Sequence, residues 1–392
     1  MTVAAFLNRI MDMRMKKIIY TILLIMICMA LFGCKRNNTD IVSIKELEKT
    51  GSMDLKYATA FSVDYYRDGY RVIHVDKGDD ILVVPKGADV PECDDDIVVV
   101  KQPIENMYMV SSSAMDLVCE IGVTDKVRFT GTKYDELCIE KAKKAVDKGE
   151  MFYAGKYNEP DFELLLEKNC DIAVQNTMIY HNPGVKDKLN EVGIPVIVEF
   201  SSMESHPLGR MEWIKFYGVL FGREKEAEVF FENQLESLKK IEESISLGER
   251  PKVAYFFVTS NGAVNVRKSG DYIAKMIEIA GAEYVFDDLT NENALSTINI
   301  QMEEFVEKAI DADYLIYNSS IDGELNSVEE LLTKCPQMKD SVAVKNNNVF
   351  CTSKNMFQQT TGTVNMILDM HNMISGNNDF KYLFRVKDKD EK

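Results

Sequence analysis

Residues 223–247, REKEAEVFFENQLESLKKIEESISL, leave few folds open to this chain. Apolar side chains recur at Ala227, Phe231, Leu235, Leu238, Ile241 and Ile245, a spacing of three or four that draws one stripe down one face of a helix, while Glu and Lys fill the rest. Gly222 before the stretch and Gly248 with Pro251 after it supply stop signals, so the spacing predicts one rod of roughly 36 Å. A rod of that length is too long for a crossover inside a compact sheet unit. The tracts on both sides of it read as alternating strands and helices. The fold class expected is α/β: two lobes with mostly parallel sheets, joined by a single long α-helix, rather than one larger domain carrying that helix on its surface.

The amino terminus has a different character. Lys16 and Lys17 precede an apolar run over 18–33 that ends in Leu31-Phe32-Gly33-Cys34. A charged start, a short apolar core and a small residue before the break describe a secretory signal. The run is about sixteen residues, short of the roughly twenty that span a bilayer. Leu-Phe-Gly-Cys resembles the lipobox of bacterial lipoproteins, which implies that Cys34 is lipidated, becomes the new amino terminus and carries enough acyl chains for stable anchoring. Residues 1–14 have no targeting logic, and Met15 reads as the more natural start. Segments are expected at 1–33 (signal peptide), 34–53 (tether), 54–222 (amino-terminal lobe), 223–247 (interlobe helix), 248–386 (carboxy-terminal lobe) and 387–392 (charged tail).

The whole chain carries a net charge of −17, and removing residues 1–33 takes away Arg9, Arg14, Lys16 and Lys17 against Asp12 alone, leaving the remainder more acidic still. A surface of that sign repels nucleic acid and anionic lipid. Cys28 and Cys34 fall in the amino-terminal segment. The other six cysteines, Cys93, Cys119, Cys138, Cys170, Cys335 and Cys351, form no CxxC, so zinc ribbons and thioredoxin-type redox chemistry have no support. An even number in an exported chain permits disulfides; apolar surroundings at Cys119 and Cys170 suit free core thiols equally well.

Strands are expected over 57–63 and 70–75, joined through Asp68-Gly69 as a hairpin, and over the short apolar runs 81–84 and 97–100. Helices at 111–121, 137–146, 162–167 and 184–191 then alternate with strands at 127–130, 171–175 and 195–198. Beyond the rod, strands at 253–258, 314–317 and 349–351 alternate with helices at 272–280, 302–309 and 364–374. Two stretches echo one another. Asp161-Phe162-Glu163-Leu164 leads into Asp171-Ile172-Ala173-Val174, and Gln301-Met302-Glu303-Glu304 leads into Asp313-Tyr314-Leu315-Ile316. Each is an acidic helix start feeding a strand, an arrangement that the helix dipole alone would favour.

These echoes carry a resemblance to a known family. YAGKYNEPDFELLLEKNCDIAV, SHPLGRMEWIKFYGVLFGREKEAEVFF and INIQMEEFVEKAIDADYLIYNSS, in that order and behind a lipobox, resemble the extracytoplasmic substrate-binding proteins of ABC importers for iron-siderophore complexes, haem and cobalamin. The resemblance covers nearly all of the chain after Cys34. It implies the class III periplasmic-binding-protein fold, with ligand held between two lobes bridged by one helix, and small closing motions only. It implies an extracytoplasmic, lipid-anchored monomer that delivers an iron chelate, haem or cobalamin to a permease and ATPase complex. By matching motif position it also implies that Glu163 and Glu303, one per lobe, pair with basic residues of the permease.

Ligands of α/β sheets bind at loops leaving the strand ends. Here those are 108–113, 153–157, 178–182 and 201–210 in the first lobe, and 265–272, 318–321 and 353–358 in the second. Tyr108, Tyr180, His181, His206, Arg210, Arg267 and Lys268 are the candidate ligand-binding residues, aromatics and cations that suit a flat chelate or an acidic ligand. Arg210 could instead pair within its own lobe, and Trp213, beside Phe216, Tyr217 and Leu220, reads as core. No catalytic residue is expected: GxSxG, GxxxxGK[ST], HExxH and GxGxxG are all missing. His74, His181, His206 and His371 are too scattered to define a bare-metal site, and no resident cofactor is expected. Two other readings stay open, a chelatase-like enzyme and a binding protein for an oxyanion.

Overall fold

The computed structural model describes residues 43–243, 245, 248–290 and 297–387. Cys34, the signal segment and most of the charged tail lie outside the described residues. Residues up to Glu46 form one unit, of which the turn Ile44–Glu46 is described, and residues 47–392 form the other.

The larger unit opens with a five-stranded sheet in the order Lys49–Ser52, Phe61–Tyr66, Arg71–Val75, Ile81–Val84, Val98–Lys101, antiparallel except for its last pair. The expected hairpin is present: Asp68 and Gly69 both take positive φ between its strands. Residues 49–52, assigned to the tether on sequence, are instead an edge strand. Every residue of that strand is exposed, so no apolar alternation could mark it; backbone pairing holds it, helped by Asp64, which accepts from Lys49 Nζ at 2.6 Å and from Ser52 Oγ at 2.7 Å.

The connection from this edge strand to the next is fastened by two buried carboxylates. Glu212 accepts the backbone N–H groups of Lys56, Tyr57 and Ala58, and Glu204 those of Thr59 and Ala60 together with the indole N–H of Trp213. Five consecutive donors that lack a strand partner are thereby satisfied. Lys215, 3% exposed, lies 3.2 Å from Glu212 and balances its charge. Trp213 is core, its ring 4.8 Å from Phe61 and 4.9 Å from Phe216.

The first lobe is centred on a parallel sheet in the order Val196–Glu199, Ile172–Asn176, Met107–Met109, Val127–Thr130, Phe152–Tyr153. Successive side chains alternate between its faces. Met107, Met109, Ile172 and Val174 join the large core that includes helix Ser112–Glu120, whereas Tyr108, Phe129, Ala173 and Val196 meet Leu165 and Leu189 from helices Phe162–Glu167 and Pro183–Glu191.

The second lobe has a seven-stranded sheet with three parallel central strands, Lys252–Val258, Tyr314–Tyr317 and Val349–Thr352, and antiparallel strands toward both edges. The outer strands Val264–Arg267, Thr297–Ile300 and Leu383–Arg385 were not expected, being short and only partly buried; the last two form the edges. The echoed units superimpose in role. Asp171 receives the N–H groups of Glu105 and Asn106 at 2.7 Å, and Asp313 receives that of Lys252 at 2.7 Å, so in each lobe the strand-opening Asp ties down the start of the neighbouring strand.

The long helix is Glu224–Glu242, with Glu243 already a turn; it is about 28 Å long, shorter than the 223–247 rod expected. The apolar stripe continues at Ile245, which packs on the core without being helical, so periodicity alone overran the helix end. It packs on helix Ile214–Phe221 of the first lobe, and helix Thr363–Ser375 of the second lobe packs on it as well. All six cysteines among the described residues are free thiols.

Candidate functional site

Parallel strands place their carboxy-terminal ends, and the loops leaving them, on one edge of a sheet. In the first lobe that edge supplies Ser113, one residue into the helix that follows Met107–Met109, and Ser201 and Ser202, just past Val196–Glu199. In the second it supplies 356–363, just past Val349–Thr352. These segments, with Arg210, Tyr272 and Met276, enclose a cavity of about 160 Å³ between the lobes.

The lobes meet beside this cavity through a ladder of polar contacts from 358–361. The Gln358 amide donates to the carbonyl of Glu136 at 2.7 Å and its oxygen accepts the N–H of Cys138 at 2.9 Å; Gln359 donates to the carbonyl of Cys138 at 3.1 Å. Thr360 donates to the carbonyl of Ser113 at 3.1 Å, and Thr361 donates through both its N–H and its hydroxyl to Asp116 Oδ2 at 2.8 and 2.6 Å. Burial raises the pKa of Asp116 above the ordinary 3.8, the two Thr361 donors pulling the other way. Gly362 is a packing requirement: a Cβ there would fall 2.0 Å from the hydroxyl of Tyr382. That hydroxyl donates to Gln359 at 2.9 Å and closes the wall.

Among the described residues, Arg210 is the one ionised side chain lining the cavity. Its Nε donates to the carbonyl of Glu204 at 3.0 Å and Nη2 to that of Ser202, which leaves part of a five-donor fork facing the cavity, and its guanidinium lies 3.6 Å over the ring of Tyr272 in the other lobe. Below it Glu199 is fully buried at the end of its strand, accepting the N–H of Ser201 at 3.0 Å. Burial raises its pKa above 4.5 against the opposing pull of Ser201, Arg210 and Ser111.

The other candidates are spread more widely. Arg267 stands behind the cavity wall, 5.9 Å from the ring of Tyr272, 5.8 Å from Tyr255 and 6.0 Å from Phe357, with Nη1 3.6 Å from Asp271. Lys268 is 6% exposed, and its Nζ has no hydrogen-bond partner among the described residues. Tyr108 is fully buried inside the first-lobe sheet and donates to the carbonyl of Gly155 at 2.8 Å, so its side chain is part of the fold rather than of the cavity surface. His206 caps helix Pro207–Glu212, accepting the N–H of Leu208 at 3.2 Å, and stacks on Tyr57 with centroids 4.7 Å apart. Tyr180 and His181 are exposed, outside the cavity lining. Of the loops expected to line the cleft, 108–113, 201–210, 265–272 and 353–358 reach the cavity, and 153–157, 178–182 and 318–321 do not. Gln359, Thr360 and Thr363 line the cavity beyond the expected loop 353–358; the polar run Gln358-Gln359-Thr360-Thr361-Gly362-Thr363 ahead of an apolar helix is the signal that marks them.

Glu163 and Glu303 are both exposed in the first turn of equivalent helices, Phe162–Glu167 and Met302–Ala309, and neither has an ion-pair partner among the described residues. His74 lies 2.7 Å from Asp80 and 3.6 Å from Asp64, and His371 faces the carbonyl of Ala280 at 3.1 Å. Among the described residues no three His, Cys, Asp or Glu side chains gather where they could hold a bare metal ion.

Comparison with known proteins agrees with this architecture. An uncharacterized lipoprotein of Methanocaldococcus jannaschii, MJ0878, is 25% identical over 383 residues, covering 88% of this chain and 89% of its own length. The periplasmic haem binding protein HutB of Vibrio cholerae shares the fold, with a TM-score of 0.55 at 16% identity over 67% of this chain and 96% of that one. So does the molybdate periplasmic binding protein MolA of Haemophilus influenzae, with a TM-score of 0.54 at 13% identity over 70% and 86%. The periplasmic binding protein family model matches residues 109–356, from the last residue of the strand Met107–Met109 to the cavity-lining Met356, and the chain belongs to that family.

Proposed function

We propose that this chain is the extracytoplasmic substrate-binding lipoprotein of an ABC importer and captures a metal chelate, an iron-siderophore complex, haem or cobalamin, between its two lobes. The observation that carries the reading is the cavity itself: both lobes contribute to its lining from the edges where their strands end. Membership of the periplasmic binding protein family and the lipoprotein names of the relatives support it, as does the lipobox at Cys34. Glu163 and Glu303 are the docking points for a permease. Two unpaired exposed carboxylates in equivalent helices suit a two-point contact with arginines.

A second reading, capture of a bare oxyanion, is favoured by one observation. A cavity of about 160 Å³ is smaller than the roughly 300–1,000 Å³ of sites that enclose a drug-sized ligand, and Arg210 is the only charged side chain among the described residues that line it. Native mass spectrometry of the protein purified from its own host separates the two. A retained mass of several hundred daltons or more with an iron or cobalt isotope pattern supports the chelate. A retained tetrahedral oxyanion, or retention of an unrelated metabolite such as an amino acid, would overturn it.

A further inference from the structure

Six large apolar side chains, Tyr134, Tyr153, Met178, Tyr180, Met203 and Ile321, remain 40–72% exposed, and each sits at or just past the carboxy-terminal end of a strand. That is the edge of each sheet that also supplies the cavity walls. Among the described residues only Leu166 and Val229 are comparably exposed elsewhere. Tyr180 lies 6.2 Å from the ring of Phe200, the residue that opens the turn bearing Ser201, Ser202 and Met203, so this part of the apolar rim adjoins the polar wall directly. These six side chains lie outside the cavity lining, but their place along the edge that supplies its walls puts them where the apolar body of a ligand seated in the cavity would pass.

The two halves of this surface differ in chemistry. Inside, Arg210 with uncommitted donors and the hydroxyls of Ser113, Ser201, Thr360 and Thr363 form a small pocket of net positive sign on a strongly acidic chain. A volume of about 160 Å³ is close to the roughly 150 Å³ of a cavity that takes up a benzene-sized group, so it admits a carboxylate arm or a small oxyanion but not the body of a chelate. Outside, the rim offers rings and thioethers, soft and adaptable surfaces for a flat apolar body. A bare oxyanion has no use for that rim. A neutral body leaves the guanidinium fork unanswered.

We propose that the site takes an amphiphilic acidic chelate, with an ionised carboxylate arm in the inner pocket against Arg210 and the apolar body spread over the rim at Tyr180 and Met203. This assignment rests on the chelate-import reading and narrows it: it favours a porphyrin-like or carboxylate-bearing iron chelate over neutral cobalamin and over molybdate-like anions.

Four probes test it on the protein lacking only residues 1–33: haem, haem dimethyl ester in which both carboxylates are masked, cyanocobalamin, and molybdate. Haem is expected to bind. The ester, and haem on Arg210→Gln, should each bind about tenfold or more weakly, as loss of a charge-assisted hydrogen bond predicts. The ester should not distinguish Arg210→Gln from the parent, because it has no arm for that residue to read. The pair Tyr180→Ser with Met203→Ser, both exposed, should weaken haem about tenfold and leave thermal unfolding unchanged. Equal binding of haem and its ester, or a silent rim variant, overturns the two-part assignment while keeping the chelate reading. Cyanocobalamin binding in preference to haem has the same consequence. Molybdate binding without haem, or binding of none of the four, overturns the chelate reading together with the assignment.

Discussion

The guanidinium of Arg210, carried by the first lobe, lies 3.6 Å above the ring of Tyr272, carried by the second. A cation over an aromatic face contributes about 0.5–2 kcal/mol, depending on how dry the contact is. The pair therefore acts as a light clasp on one side of the cavity. On the other side the polar ladder from Gln358 to Thr361 does the same, and the long helix connects the lobes between their cores.

Asp116 is the buried end of that ladder, accepting from both donors of Thr361. Asp116→Ala leaves an N–H and a hydroxyl without an acceptor, which should lower stability by about 1–3 kcal/mol and loosen the lobes. Hydrogen exchange should accelerate across 356–363 ahead of the rest of the second lobe. Unchanged exchange there would show that the ladder does not hold the lobes.

Glu199 should make stability depend on pH. Its folded-state pKa is raised above 4.5 by burial, so its contribution to the fold is complete below pH 4.5 and is lost as pH rises through the raised value. Glu199→Gln imitates the protonated acid. The variant should melt higher than the parent at pH 8 and nearly level with it at pH 4. A lower melting temperature at pH 8 would mean that the charged form is stabilised by Arg210 more than burial penalises it.

Glu212 holds three backbone N–H groups and Lys215 in a fully buried position. Removing one member of a buried ion pair costs about 3–5 kcal/mol, because the other charge stays behind uncompensated. Glu212→Ala should fall in that range in urea unfolding and release the connection at 53–60 to exchange. A loss below about 1 kcal/mol would place the anchoring of the first sheet elsewhere, with Glu204 the next residue to test.

Glu163 and Glu303 are exposed and have no ion-pair partner among the described residues, so replacing both with Ala should leave the melting temperature and the affinity for ligand nearly intact. Uptake in cells should fall steeply, since permease arginines would lose their partners. Normal uptake by the double variant, or lost ligand binding by the purified protein, would assign these residues a different role.

Cys34→Ala should move the protein from membranes to the soluble fraction, given the Leu31-Phe32-Gly33-Cys34 run and the roughly 0.8 kcal/mol that each buried CH₂ of a lipid chain adds. Retention in a detergent-free membrane fraction would point to another anchor.

Local chemistry was legible in the amino acids. The stripe from Ala227 to Ile241, the Asp68-Gly69 turn, and the echoed helices at 162–167 and 302–309 each depend on interactions within a few residues, and strand-helix alternation leads from there to a two-lobe parallel α/β fold. Where the stripe carried on past Glu242, period and helix parted, because Ile245 is apolar for packing reasons and not for helical ones. Tyr108 shows the same limit from the other side: a strand end suggests a loop residue, but the alternation of faces turns this ring into the sheet interior. The cavity lay beyond local reading altogether. Asp116 meets Thr361 across 245 residues and Glu212 meets Lys56 across 156. Such pairings carry no period and no spacing. They exist only once distant segments are brought together in the fold, and only the meeting of the two sheets' strand ends selects Arg210, among the candidate cations and aromatics, to line the cavity.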